Sequence, residues 1–146
     1  MNQPALILFL CTGNYYRSRF AELLFNARAQ ELGLPWRADS RGLALERGIY
    51  NFGPMARCVV ETLRNRGVDL PPSRHPIQLT IYDLQDAARI IALKETEHRP
   101  LLEERYGGWE DRVEYWHIHD NDVWTVEQTL SGIERQIDDL IAKLCA

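Results

Sequence analysis

The sequence predicts an α/β fold in which a parallel sheet is covered by helices on both faces. Three observations predict it. Apolar segments of strand length alternate with stretches of helical periodicity, the first of those segments is apolar without a break, and turn residues mark the hand-overs. A length of 146 residues, 45% hydrophobic and 26% charged, suits a single domain over residues 1–146 with its own core.

Ala5 to Leu10 is a continuous apolar run, the mark of a strand buried on both faces. From Ser18 to Leu32, residues Phe20, Leu24, Phe25 and Leu32 recur at helical spacing, and Gly33 supplies a stop. Trp36 to Ser40 reads as a short second strand. Pro54 opens a helical stretch with Met55, Val59, Val60 and Leu63 on one face and Gly67 at its end. Pro71, Pro72 and Pro76 stiffen the next connection, after which Thr80 and Asp83 have the spacing of a capping box. Ile90 to Leu93 is a third buried strand, Thr96 to Tyr106 a helix ended by Gly107 and Gly108, and Tyr115 to Ile118 a fourth strand. The last helix begins near Thr125 and Gln128, with Leu130, Ile133, Ile137, Leu140 and Leu144 along one stripe.

Composition narrows the function. With 17 Lys+Arg against 21 Asp+Glu, a net charge of −4 argues against nucleic acid as a partner. The charge is uneven, +3 over residues 1–73 and −7 over residues 74–146. That split fits either a local anion site or a solvated surface with uneven charge. The Ala5–Cys11 run falls far short of the roughly 20 residues of a membrane span, and no basic segment precedes it. Three cysteines are too few for a disulfide scaffold. The expectation is a cytoplasmic protein with neither a membrane nor a nucleic-acid partner.

Parallel sheets bind ligands beyond the carboxyl ends of their strands. Here the turn after Leu10 reads Cys11-Thr-Gly-Asn-Tyr-Tyr-Arg17-Ser18. Five residues between Cys11 and Arg17 can wrap a tight loop with inward N–H groups and a helix N-terminus behind it, which holds a tetrahedral oxyanion without a metal. Gly13 suits a left-handed or close-approach position, and Asn14 tolerates positive φ. Arg17 can grip two phosphate oxygens with its planar fork. Thr12, Tyr15 and Tyr16 complete the binding loop. The same dipoles and guanidinium favour a thiolate at Cys11, placed to attack phosphorus, with Ser18 donating to the sulfur. The alternative is that Cys11 is only a small buried residue at a strand end.

C-x5-R-S after an apolar strand, with Gly13-Asn14 inside the loop and Ala21-Glu22 just beyond it, resembles the low-molecular-weight protein tyrosine phosphatases. The arsenate reductases of the same fold share the likeness. Asp39-Ser40 after the second strand, Arg74-His75 after the prolines and an Asp before the last helix extend it over nearly the whole chain. The resemblance implies a three-layer, four-stranded parallel sheet with helices on both faces (phosphotyrosine protein phosphatase I-like). It implies phosphate monoester hydrolysis through a phosphocysteine, without a cofactor, on a phosphotyrosine protein or a small aryl phosphate. It further implies that Asn14 is held by hydrogen bonds to Ser18, Ser40 and His75.

Several positions depart from the family pattern. Its general acid is an Asp followed by Pro, whereas this chain has His117-Ile-His119-Asp120-Asn121-Asp122-Val-Trp124. Asp120 falls where the acid is expected; Asp122 is the alternative acid, or else a cap for the last helix. His117 and His119 share a strand face and with one Asp would make a metal set, but the Cys11 chemistry needs no metal and none is expected. Tyr16 replaces a cysteine that in many members traps an oxidised nucleophile. Cys58 and Cys145 are distant in sequence, so peroxide is expected to drive Cys11 past the sulfenic stage. Leu93 to His98 contains no cysteine, which disfavours thioredoxin-coupled arsenate reduction. Arsenate reduction with an external thiol and a non-catalytic anion-binding regulatory module are the other readings. Arg19 replaces a proline and lies either near the anion or in solvent. Tyr15, Tyr16, Tyr50 and Trp124 are candidates for aromatic walls that select aryl phosphates. Tyr15 stands where relatives acting on phosphoarginine carry a small Thr, which disfavours that substrate.

Overall fold

The computed structural model describes residues 3–146. Strands β1 (Ala5–Cys11), β2 (Trp36–Gly42), β3 (Arg89–Ala92) and β4 (Glu114–Tyr115) form one sheet in the order β2-β1-β3-β4, every neighbouring pair parallel. Helices α1 (Arg17–Glu31), α2 (Arg57–Asn65), α3 (Ile81–Asp86), α4 (Glu95–Arg105) and α5 (Val126–Cys145) complete the regular structure, with two short 3-10 turns. Among the described residues no helix is long and apolar enough to cross a membrane.

The unbroken apolar run of β1 has its reason in the layering. Ile7 and Phe9 pack on one face with Phe20, Leu24 and Phe25 of α1 and Ile133 and Ile137 of α5. Leu8 and Leu10 pack on the other with Leu84 of α3 and Leu101 and Leu102 of α4. A period-2 backbone buried on both sides has no position at which a polar residue is free of cost. β1 is central, with β2 and β3 on either side of it, so the chain switches direction across the sheet at its carboxyl end. The crevice this creates is where Cys11 emerges.

Differences from the sequence expectations have local causes. α1 stops at Glu31, and Leu32 is its exposed cap rather than a core residue; Gly33 at φ 65 turns the chain so that Leu34 packs instead. α2 begins at Arg57, not Pro54, because Ala56 is its N-cap with an extended ψ of 134, and its N–H bonds the Tyr15 carbonyl at 3.0 Å. β4 is two residues long because α4 starts soon after β3 ends. Trp116 and Ile118 still donate to the Ala92 and Leu93 carbonyls at 2.9 and 2.8 Å. Both capping boxes, Thr80/Asp83 and Thr125/Gln128, form as their spacing indicates.

Gly42, at the end of β2, marks where the sheet touches the loop after β1. A Cβ there would lie 2.6 Å from the Leu45 side chain, 2.9 Å from the Thr12 carbonyl oxygen and 3.1 Å from the Asn14 side chain. Gly42→Ala is therefore expected to destabilise the protein by ~1–3 kcal/mol, as overpacking does, read as a lower urea midpoint with an unchanged slope.

Candidate active site

Residues Thr12 to Tyr16 connect β1 to α1 as a closed loop. Its carbonyls turn outward: those of Cys11, Thr12 and Tyr15 accept from the N–H groups of Leu43, Ala44 and Ala56 at 2.9–3.0 Å. Among the described residues the N–H groups of Thr12 to Tyr16 donate to no protein acceptor, which leaves them for the cleft. Behind them α1 begins without a side-chain cap, so its first N–H groups add to an electropositive cup.

Asn14 sits at φ 52, the one non-glycine residue at positive φ among those described. Gly13 is not in the left-handed region; that conformation falls on Asn14. The Asn14 carboxamide is fully buried, and every one of its hydrogen-bonding groups is matched. Nδ2 donates to Ser18 Oγ and Ser40 Oγ, both at 2.9 Å. Oδ1 accepts from the Arg74 guanidinium at 3.0 Å and the Ile77 N–H at 3.1 Å. The imidazole of His75 is exposed and makes none of these bonds. The positions expected of His75 are taken by its neighbour Arg74 and by a backbone amide, because the extended segment turns the ring outward.

Ser18 Oγ lies 2.9 Å from Cys11 Sγ. That oxygen accepts from Asn14, and its hydroxyl is within reach to donate to a Cys11 thiolate. Arg17 is 3% exposed and donates to the Ile118 carbonyl at 3.1 Å and to Glu97 Oε2 at 2.6 Å; Asp120 Oδ2 is 3.6 Å away. Burial works against the Arg17 charge, but Cys11, Glu97 and Asp120 outweigh it and raise its pKa. Glu97 Oε2 also accepts from Thr12 Oγ1 at 2.5 Å and lies 3.0 Å from Nε2 of the buried His98. Burial would raise the Glu97 carboxyl, yet His98 and Arg17 hold it well below the usual carboxylate range. His98 Nδ1 accepts from the Lys94 N–H at 3.0 Å, so the proton of the neutral ring sits on Nε2, which lies close to Glu97 without forming a directed hydrogen bond to it.

A cleft of ≈ 350 Å³ opens above Cys11, walled by Tyr15 and Tyr16 and edged by Asp120, Asn121 and Asp122. Tyr15 OH is tied to the Phe52 carbonyl at 2.6 Å and Tyr16 OH to Asn121 Oδ1 at 3.0 Å. Burial pushes the Tyr16 phenol up to about 12. In place of a proline, the turn after Asp120 is closed by its own carbonyl, which accepts from Val123 and Trp124 at 3.0 Å. Thr125 caps α5, so Asp122 is not the cap. Trp124 packs on Gly132 and edge-on to His119, and Tyr50 is 94% exposed; neither walls the cleft. Arg19 is buried beside Glu22 and lines a different cavity, so it is neither in solvent nor at the anion cup.

Four participants escape the sequence reading of the loop: Glu97, His98, the bond from Arg74 to Asn14, and Cys58. Glu97 and His98 follow the carboxyl end of β3, and the strand-end rule that singles out Cys11 applies there equally. Cys58, distant in sequence, lines the same cleft as Cys11, so separation along the chain does not carry over to space. Its thiol is pushed up by burial and is less reactive for it.

The structure of the low molecular weight protein tyrosine phosphatase from T. tengcongensis is similar at 27% identity and a TM-score of 0.77, with 95% of this chain and 99% of that one covered. YfkJ from Bacillus subtilis superimposes with a TM-score of 0.82 at 24% identity, over 98% of this chain and 96% of that one. The protein-arginine-phosphatase of Bacillus subtilis (strain 168) is 27% identical over 107 residues, 73% of this chain and 67% of the relative. The model of the low molecular weight phosphotyrosine protein phosphatases matches residues 6–145. With the whole α/β frame and the loop between β1 and α1 inside that match, the chain belongs to the low molecular weight phosphotyrosine protein phosphatase family, enzymes that hydrolyse phosphate esters.

Proposed function

We propose that this phosphatase acts on phosphotyrosine in proteins or on small aryl phosphates, through a phosphocysteine at Cys11. The observation that carries the reading is the Ser18 hydroxyl oxygen 2.9 Å from the Cys11 sulfur, beneath a cup of N–H groups that no described protein acceptor takes. The thiolate attacks phosphorus as the P–O bond to the leaving group breaks. Asp120, as the carboxylic acid, protonates the departing oxygen. As carboxylate it then takes a proton from water, whose oxygen attacks phosphorus and releases the sulfur. Arg17 and the loop amides hold the equatorial oxygens throughout, and Ser18 stabilises the sulfur as it leaves. Asp120 is favoured over Asp122 because its carboxylate lies 3.6 Å from Arg17 and is half-buried, while Asp122 is exposed at the rim. Ser40 supports Asn14; Thr12, Gly13, Asn14, Tyr15 and Tyr16 form the binding loop. Three free cysteines suit a reducing compartment such as the cytoplasm.

The arginine-phosphatase relative supports a second reading, phosphoarginine hydrolysis, by the same Cys11 chemistry. Tyr15, tied to Phe52 and walling the cleft, favours the flat aryl group instead. A phosphotyrosine peptide is expected to turn over at least about tenfold faster, in kcat/KM, than the phosphoarginine peptide of the same sequence. The reverse order would assign the second substrate.

Cys11→Ser is expected to abolish turnover of aryl phosphates, and Asp120→Asn to slow it by roughly 10²–10⁴-fold for poor leaving groups and less for good ones. Steady-state rates across substituted phenyl phosphates check both, and Asp122→Asn serves as the comparison. A larger, leaving-group-dependent loss in Asp122→Asn would move the acid there.

Glu97→Gln keeps the shape but removes the charge that orients Arg17, so kcat/KM is expected to fall by roughly 10–100-fold. Stability reports on the same pair. A carboxyl whose pKa is depressed by folding stabilises the native state above its usual value of 4.5, and that contribution is lost as pH falls through the native value. The gap in urea midpoint between wild type and Glu97→Gln is therefore expected to be widest near neutrality and to narrow as the pH drops below 4.5.

A further inference from the structure

A second cavity, of ≈ 480 Å³, lies between α1, α2 and the segment around Leu70 to Arg74. None of its lining residues lines the cleft above Cys11. Leu23, Met55, Val60 and Leu70 make an apolar floor, while Arg19, Arg57, Arg64 and Arg74 supply positive charge, Arg57 paired in part with Glu61 and Arg74 with Glu22 and Asp39. No acidic side chain among the described residues lines it. A largely apolar pocket of a few hundred Å³ with a few convergent polar groups has the form of a small-molecule site.

Arg19 shows that the cavity is short of an anion. It is 2% exposed, and its buried Nε has no hydrogen-bond partner among the described residues. Its Nη1 reaches Glu22 at only 3.4 Å. That oxygen, Glu22 Oε1, also accepts from Ser40 Oγ at 2.5 Å and from Arg74 at 3.2 Å. Burial lowers the Arg19 pKa, and Arg74 pushes the same way against the pull of Glu22. A buried guanidinium N–H without an acceptor is costly, and the guanidinium that carries it favours an oxygen anion within reach of the side chain.

We propose that this cavity is a second ligand site, for a small organic anion whose carboxylate, sulfonate or phosphate head is taken by the arginines and whose apolar body lies on Leu23, Met55 and Val60. Occupancy reaches the catalytic loop through Arg74, which belongs to both places: it lines the cavity and donates to Asn14 Oδ1 at 3.0 Å. An anion that draws Arg74 toward itself weakens one of the four bonds that keep Asn14 at positive φ. The ligand thereby changes kcat without competing for the cleft.

The test uses 2-naphthalenesulfonate, an aryl anion with no ester to hydrolyse, followed by methyl NMR and by aryl phosphate turnover. Saturable shifts of the Leu23, Met55, Val60 and Leu70 methyl groups are expected, together with a fall in kcat at constant KM. Arg57→Glu combined with Arg64→Glu is expected to weaken binding by at least about tenfold while the far-ultraviolet circular dichroism stays that of the wild type. Arg19→Lys, which keeps the charge and removes the fork, is expected to weaken it as well. Absence of saturable shifts, shifts confined to residues of the Cys11 cleft, or unchanged affinity in both variants overturns the site. Binding with unchanged kcat overturns its coupling to the loop. The NMR arm does not depend on the chemistry at Cys11, so its failure is distinguishable from a failure of the phosphocysteine reading.

Discussion

The side chain of Asn14 is the constraint on which the site depends. A non-glycine residue at φ 52 persists only where its surroundings over-determine it, and here four hydrogen bonds from three parts of the chain do so. That single left-handed residue tightens the Cys11–Arg17 connection and leaves its N–H groups facing the cleft. It also places Ser18, through the same carboxamide, with its hydroxyl oxygen 2.9 Å from the sulfur. Loop shape and nucleophile environment are thus one hydrogen-bond network rather than two features.

Arg17 presents a different problem. A buried guanidinium must be compensated before any substrate arrives, yet must still be able to receive an anion. Glu97 meets the first need from below, at 2.6 Å, and Ile118 contributes a carbonyl. Asp120, at the rim of the cleft, approaches Arg17 Nη2, the nitrogen bound to Glu97, only to 3.6 Å, a looser contact that a bound oxyanion can outcompete. Glu97 also ties Thr12 to the same oxygen, so the two ends of the loop share one partly buried negative charge. Such a pair orients more than it stabilises, since desolvation of both charges offsets most of their attraction.

The first turns of α1 combine these demands. Every residue from Arg17 to Phe25 is buried, which an amphipathic surface helix does not show. Apolar Phe20, Leu24 and Phe25 face the sheet and α5, while Arg17, Ser18, Arg19 and Glu22 are enclosed by loops that supply their partners. Two arginines two positions apart on one helix thereby face separate cavities, one above Cys11 and one against α2.

Much of this was legible along the chain because it is encoded locally. The apolar run of β1, the capping residues of α3 and α5, and the fixed offsets of Cys11, Asn14, Arg17 and Ser18 concern neighbours a few positions apart, where backbone geometry alone decides which groups meet. The general acid was legible only as a choice between two aspartates, because the turn that separates them is set by the Asp120 carbonyl rather than by a proline. Arg74 in place of His75, Glu97 beneath Arg17, Cys58 in the cleft and Arg19 in its own cavity all required the fold. Each is brought to its partner by the packing of segments at least tens of residues apart or by the burial of a helix end, and linear spacing carries no information about either. Sequence by itself determined the layered parallel sheet and the anion loop at its switch point. Tertiary structure alone decided which distant charges neutralise that loop, because only packing sets the distances over which buried charges act.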